Sequence, residues 1–411
     1  MNNNDREILR ALAGEQAEIA ALPIQKETEK LYRGVNNLKM IRPVVLLDEI
    51  PWNQIKDDAL TLRCEDPFLR EVEGNLRRSL YKWRHFPGDM LVEPTYNLAR
   101  EIHVGGLGPK VIEQTLEADR GNNIISHHYE DQLSTFESLE ILQPPEIIVD
   151  DALTEKKRGT LTEIFGDLLP VRTVGLNHAG FYMPWDDLSR WRGVEAIYMD
   201  LYDNPELLHA FVRRYLDIRK DLLDREEKMG LLDDHMPVLH CTAGLVDDLP
   251  GEKPDGKVTR RNMWGRGTAQ LFASVSPAMH DEFEMEYAKE YFEGFGLVYY
   301  GCCEPLHDKI DIVKKLPNLR KLSITPWADV RKSAERIGSS YVLSRKPNPA
   351  AVAVPHLDED ELRKDILETL TVCRENNTPC EFIIKDISSI CYNPNNLTRW
   401  SEVVLDTVKN F

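Results

Sequence analysis

The hydrophobic pattern changes period along the chain. Over residues 1 to about 40, Ile8, Leu9, Leu12, Ile19 and Leu22 recur at helical spacings in a charged background, which predicts helices packing outside the main core. At Pro43 the pattern becomes a solid apolar run, Pro43-Val-Val-Leu-Leu-Asp-Glu-Ile, as a strand buried on both faces requires. Comparable runs begin at Asp89, Val171 and Met236, and then at Leu297, Leu319, Tyr341 and Pro379. Helical patterns separate most of them, including two amphipathic stretches from Pro205 to Met229 whose Leu207, Leu208, Phe211, Val212, Tyr215 and Leu216 form a core-facing stripe. About eight strands alternating with helices predict the α/β class and a (β/α)8 TIM barrel with inserted loops. We expect a helical extension over 1–40 and a barrel over 41–411.

Two stretches resist this rhythm. Around 120–170, His127-His128-Tyr129-Glu130-Asp131 sits in what reads as a loop or an inserted helical segment. Gly244 to Arg266 mixes Gly, Pro and charge without a period and reads as a long surface excursion, a lid or binding loop. Trp264, Gln270 and Phe272 would then line a pocket or simply pack the loop down.

Composition narrows the function. The 411 residues carry 51 basic and 69 acidic side chains, a net charge of -18, which opposes non-specific binding to nucleic acid or anionic lipid. No run of about 18 uncharged apolar residues occurs, and the start, MNNNDREILR, is unlike a signal peptide. Cysteines at 64, 241, 302, 303, 373, 380 and 391 are odd in number and lack a disulfide spacing, so reduced thiols in the cytoplasm are expected.

Candidate chemistry concentrates in Leu297–Ile310, LVYYGCCEPLHDKI. A β-rich run stops at Gly301, and Cys302, Cys303, Glu304 and His307 follow within six residues, as at a barrel strand end that carries a site. The same residues also read as a buried cysteine pair before a Pro-started helix. Other strand ends offer Asp48 and Glu49; His178; His240 and Cys241; Arg345, Lys346 and Asn348; and Lys385 and Asp386. On a regular strand His240 and Cys241 would face opposite ways. The Gly cluster after His103 lacks the spacing of a phosphate loop.

Ser276 to Phe283, opening a helix as Ser-Pro-x-x-x-x-Glu-Phe, the Cys302-Cys303 strand end and the Asn348-Pro349 turn together resemble the uroporphyrinogen decarboxylase superfamily, more its corrinoid-dependent methyltransferase branch than the decarboxylase proper. The likeness covers roughly 270–400; before 230 it rests on architecture. Asp48 and Glu49 stand where the decarboxylases carry an Arg-Gln-Ala-Gly-Arg type motif for substrate carboxylates. The His-x-Cys zinc motif of the thiol-methylating members is absent, Tyr300-Gly301-Cys302-Cys303 taking its place, and no Asp-x-His-x-x-Gly corrinoid signature occurs.

The resemblance implies methyl transfer between a small substrate and a corrinoid carried on a separate protein, with zinc at the barrel mouth and a homodimeric assembly. Cys303, Cys302, His307 and Cys241 are the metal-ligand candidates. Glu304, Asp386 and Lys346 are the catalytic candidates, and Asp48, Glu49, Trp264, Arg345 and Asn348 would bind substrate. Two alternatives stay open: a metal-independent decarboxylase or lyase, with Lys346 or Arg345 on a carboxylate and Asp386 or Glu304 handling the proton, and an inactive barrel that only binds a corrinoid or partner.

Overall fold

The computed structural model describes residues 2–117 and 125–411. Its centre is a parallel sheet of seven strands, numbered along the chain as β1 (Val44–Leu47), β2 (Phe181–Tyr182), β3 (Trp264–Gly267), β4 (Leu297–Tyr300), β5 (Leu319–Ile324), β6 (Val342–Arg345) and β7 (Cys380–Ile384). Their spatial order is β1-β7-β6-β5-β4-β3-β2. Five of the seven, β1 and β4–β7, lie inside apolar runs visible in the sequence. Helices Val330–Ile337, Glu359–Glu375 and Asn395–Asn410 follow β5, β6 and β7, and Asp329 and Asp358 cap the first two by accepting the Lys332 and Glu361 amides.

Side chains alternate between the faces of these strands. Leu322, Ile324, Leu343, Phe382 and Ile384 point out into the main apolar core shared with the helices. Lys321, Ser344 and Glu381 point in, joined by hydrogen bonds across the concave face.

The first half departs from the expected rhythm. The run at Asp89 becomes a strand only at Tyr96–Ala99, which pairs with Val171–Val174 in a separate two-stranded sheet. The run at Met236 forms a tight antiparallel hairpin, Val238–Leu239 with Thr242–Ala243, instead of a central strand. The chain after it is held inside the curve of the sheet. Trp264 Nε1 donates to the Gly244 carbonyl at 2.8 Å and Lys321 Nζ to the Ala243 carbonyl at 2.9 Å, while Cys241 and Ala243 pack on Val44, Val342 and Ile383. The sheet therefore curls around this segment; β1 and β2 are its outermost strands, and the Val45 carbonyl of β1 still accepts the Asp89 amide at 2.8 Å. Among the described residues seven parallel strands belong to this sheet, and the expected eighth is represented only by single backbone links such as that from Asp89 to Val45.

Conversely, β2 and β3 occur where an aromatic turn and a surface excursion were expected. The strand Trp-Gly-Arg-Gly hides from a sequence reading because two of its four residues are glycine. Both glycines are needed for close packing: a Cβ on Gly265 or Gly267 would meet the Phe292 ring at 2.6 and 2.9 Å.

Three smaller corrections follow. The amphipathic stretch from Pro205 is one helix, Pro205–Lys228. The unclear region contains a β-hairpin, Glu113–Glu117 with Ile125–Tyr129, and a helix, Asp151–Phe165; residues 118–124 lie outside the described chain. Of the two N-terminal helices, Asn3–Ala20 buries Leu9 and Ala13 in a cluster apart from the main core. Pro23–Asn36 instead packs Leu31, Tyr32 and Val35 near Val44 and Leu46 of the sheet. No helix among the described residues is long and apolar enough to cross a membrane.

Candidate functional site

The carboxyl ends of β1, β4 and β7 and the tip of the 238–243 hairpin converge. Alternation alone would bring only every second residue to this point. Three residues escape it by adopting left-handed backbone: Glu49 (φ 50°), Cys241 (φ 55°) and Asp386 (φ 53°). That conformation is costly for a residue with a Cβ, and here it turns Asp48 with Glu49, His240 with Cys241 and Lys385 with Asp386 toward one place. Hydrogen bonds hold the turns: Asp48 accepts the Cys241 and Glu49 amides at 3.1 and 2.9 Å, and Glu49 accepts the Asp386 amide at 2.8 Å. Gly301, at φ 98°, ends β4; a Cβ there would meet Leu306 at 2.7 Å.

The two thiols after Gly301 lie with Sγ atoms 3.8 Å apart. Lys385 Nζ stands 3.3 Å from Cys302 Sγ and 3.4 Å from Cys303 Sγ, and it also pairs with Asp386. Cys303 Sγ also lies 3.1 Å from Asp386 Oδ2, so its one proton is placed between that carboxylate and Cys302. The pair divides its protons unequally. Cys302 is pushed well below the usual thiol range by the hydrogen bond from Cys303, with His240, Lys385 and Arg266 adding to it against the opposing effect of burial. Cys303 is pushed up for the converse reasons, its hydrogen bond to Cys302 foremost and then burial. Burial works against charge on Lys385, yet Cys302 and the bonded Asp386 outweigh it and hold the ammonium protonated. The paired sulfurs thus favour sharing a single proton, with the Lys385 ammonium 3.3 and 3.4 Å from them to stabilise the charge.

Beside the thiols, one ligand atom each of Glu49, His240 and Cys241 fall within 4.8 Å of one another. Carboxylate oxygen, imidazole nitrogen and thiolate sulfur are each donors that zinc takes, and its catalytic sites combine three protein ligands with an open fourth position. The donor chemistry therefore fits such an ion. Without an ion, burial and then the Asp48 charge push the Cys241 thiol up. Above the group, Arg266 lies over the Phe181 and Tyr299 rings at 5.0 and 5.9 Å, and Lys346 over Tyr299 at 5.6 Å.

The structure brings together only some of the candidates named from the sequence. Cys302, Cys303, Cys241, Asp386, Asp48 and Glu49 meet, and Lys346 stands beneath them, bonded to the Cys241 carbonyl and to Ser344. Glu304 is fully buried behind the thiols, where it accepts the Cys302 amide at 2.9 Å and bonds Thr268 and the Ala269 amide. Burial, then the Cys302 charge, raise it to about 7. This is a positioning bond on the β4 turn.

Four candidates lie elsewhere. His307 turns to Asp308 at 3.4 Å. Arg345, one residue before inward Lys346, faces out and bonds the Thr325 carbonyl and Asp365. Trp264 is buried in β3, and Asn348 caps a short turn by accepting the Ala350 amide. The sequence reading gave no role to Arg266, hidden in a Gly-rich stretch. It read His240 with Cys241 as a plausible ligand pair of which only one would point inward unless the strand breaks there, as it does at Cys241. It named Lys385 at a strand end without a role; strand parity from Glu381 would have pointed Lys385 inward.

Neither a family model nor a curated protein matches the chain. Among solved structures, a methyltransferase from Methanosarcina mazei superposes with a TM-score of 0.45 at 11% identity, over 92% of this chain and 98% of that one. At so loose a likeness, any chemistry has to come from the residues.

Proposed function

We propose that the chain is a methyltransferase of barrel type, working between a small substrate and a corrinoid borne by a partner protein, with zinc held by Glu49, His240 and Cys241. The observation that carries this reading is the oxygen, nitrogen and sulfur donor group within 4.8 Å, set beside a thiolate. Bound there, zinc would supply a Lewis-acidic position that makes a heteroatom a better leaving group or a thiol a better nucleophile, while the corrinoid supplies or accepts the methyl group.

The chain's own residues set the stage. Asp48 fixes the turn that carries Glu49 and the amide of Cys241, so the donors are ordered before an ion arrives. Lys385 neutralises Cys302 and orients Asp386, which is exposed and able to take or return a proton at the mouth. Glu304 and Ser323 hold the Cys302 backbone through its amide and its carbonyl.

The test is metal content of protein purified without chelator, together with Cys241→Ala and His240→Ala variants and a methyl-transfer assay with a corrinoid protein. Near-stoichiometric zinc, lost in both variants along with transfer, is expected. A metal-free wild-type protein would overturn the zinc assignment. One observation favours a second reading, a metal-independent lyase: Arg266 and Lys346 both lie over the Tyr299 ring beside the thiols, two cations of the kind that hold a carboxylate. Turnover of carboxylated compounds by metal-free protein, lost in Arg266→Gln, is the outcome that selects it.

A further inference from the structure

A chamber of about 700 Å³, lined in part by His178, lies on the other side of Phe181 from His240 of the donor group. The volume falls in the range of small-ligand pockets. His178 stacks edge-on to Phe181 at 4.9 Å, and Phe181 in turn to His240 at 6.3 Å, so chamber and donor group are separated by one layer of rings. The helix Pro205–Lys228 forms one wall through Arg219, Leu222 and Glu226, spaced to fall on a single helical face.

The carboxylates and guanidiniums of the wall are hydrogen-bonded, with one exception. Glu93 is bound by His235 and by Asn97 Nδ2 at 2.8 Å. Arg100 donates to the Gly230 carbonyl at 3.1 Å and to Asp151 at 3.0 Å. Arg219 donates through Nη2 to the Phe181 carbonyl at 2.9 Å; its Nε, though without a partner, has no surface open to a ligand. Glu226 is the exception. It is only 4% exposed, it lines the chamber, and no hydrogen bond reaches its carboxylate among the described residues.

A buried carboxylate with no donor costs stability, and such a group persists where a ligand completes it. Arg219 and Arg225 stand near enough to favour its charge, but their hydrogen bonds go to other acceptors. Asn177 on the same wall donates its Nδ2 to the His235 carbonyl at 3.3 Å, which leaves its Oδ1 as a second acceptor. What the Glu226 carboxylate lacks is therefore a donor, and a charged one suits it best. Leu176, Leu222, Val174 and Ile102 make the remainder of the wall apolar.

We propose that this chamber binds a small protonated amine carrying apolar substituents, with its N–H on the Glu226 carboxylate. Taking that amine as the methyl donor or acceptor rests on the function proposed above; the binding itself does not.

The experiment is isothermal titration calorimetry of the full chain, stripped of metal by chelator, with trimethylammonium chloride. tert-Butanol serves as the neutral counterpart and pivalate as the anionic one. Trimethylammonium is expected to bind at least tenfold more tightly than either, and Glu226→Gln to weaken it at least tenfold while leaving the melting temperature no lower than wild type. Leu222→Trp, which fills the chamber and keeps Glu226, is expected to abolish binding with the circular dichroism spectrum unchanged. Preference for pivalate, or equal trimethylammonium affinity in Glu226→Gln, would overturn the proposal. Because the protein is metal-free, binding without any methyl transfer in the loaded enzyme sinks the functional reading alone, and methyl transfer with oxygen substrates but no amine binding sinks this one alone.

Discussion

Two polar clusters sit on the same strands about one turn of side chains apart, and they are built from similar residues to opposite ends. The inner one joins Lys321, Glu381, Ser344 and Thr242. Lys321 lies 3.0 Å from Glu381 and 2.7 Å from the Thr242 hydroxyl, Ser344 donates to Glu381 at 2.6 Å, and both charged side chains are fully buried. Its charges are compensated: burial opposes ionisation of Glu381, but Lys321, Lys346 and two hydroxyls hold its carboxyl below the usual range. The outer cluster of Cys302, Cys303, Lys385, Asp386, Glu49, His240 and Cys241 instead has left-handed backbone, shared protons and free ligand valence. A closed network fixes a fold; an open one beside it, with thiols and an imidazole in place of hydroxyls, is available for chemistry.

The largest expected effect breaks the inner cluster. Glu381→Gln or Lys321→Met alone leaves a buried charge without its partner, and either should cost about 3–5 kcal/mol in urea denaturation. Replacing both, as Lys321→Met with Glu381→Leu, should recover most of that loss. Single variants as stable as wild type would remove the distinction between the clusters.

Glu226 extends the contrast to a single unsatisfied group. Burial raises its carboxyl to about 7 from an ordinary 4.5, against the pull of Arg219 and Arg225. The folded state therefore holds a proton that the unfolded chain has lost between those two values, so this contribution to stability is present below pH 4.5 and declines as pH rises to about 7. Glu226→Gln should match wild type near pH 4.5 and exceed it above pH 7 by on the order of 2 kcal/mol. A pH-independent difference in chemical denaturation would contradict the assignment.

The outer cluster is sharpened by its thiolate. Thiolate absorbance near 240 nm in metal-stripped protein should persist as pH falls well below the usual thiol range and disappear in Cys302→Ser. Lys385→Met should raise its midpoint by at least about one unit, which is about 1.4 kcal/mol. An alkaline midpoint in wild type would mean that Cys302 is an ordinary core thiol.

How much of this could be read from the sequence follows from the same physics. Strands β4 to β7 announce themselves because both faces are buried and the runs are solid, and the paired cysteines announce a site because such a pair rarely fills a core. Strand β3 is masked by the two glycines that the Phe292 ring requires. Arg345 was credited in place of Arg266 because a strand end displays its last residues without saying which face each one takes; alternation assigns Lys346 inward and Arg345 outward. His240 with Cys241, which alternation would separate, meet only because Cys241 is left-handed. That information lies in tertiary contacts such as the Asp48 carboxylate on the Cys241 amide, not in residue order.

The smallest expected effect tests whether the strained turns serve the site or the fold. Asp386 is exposed and left-handed, and its hydrogen bonds run to Lys385 and Cys303. Asn tolerates the left-handed region about as well as Asp, so Asp386→Asn preserves the turn and the capacity to accept from Cys303 while removing one charge. Lys385 is buried but keeps the Cys302 sulfur at 3.3 Å as a second partner, and Asp386 itself is half-exposed, so stability should change by less than about 1 kcal/mol. Lys385, freed from its carboxylate, should then turn its whole charge on the thiols and lower the 240 nm midpoint further. A fall in stability comparable to that of the inner-cluster variants, with the midpoint unmoved, would place Asp386 with the closed network and leave the open cluster without its proton-carrying edge.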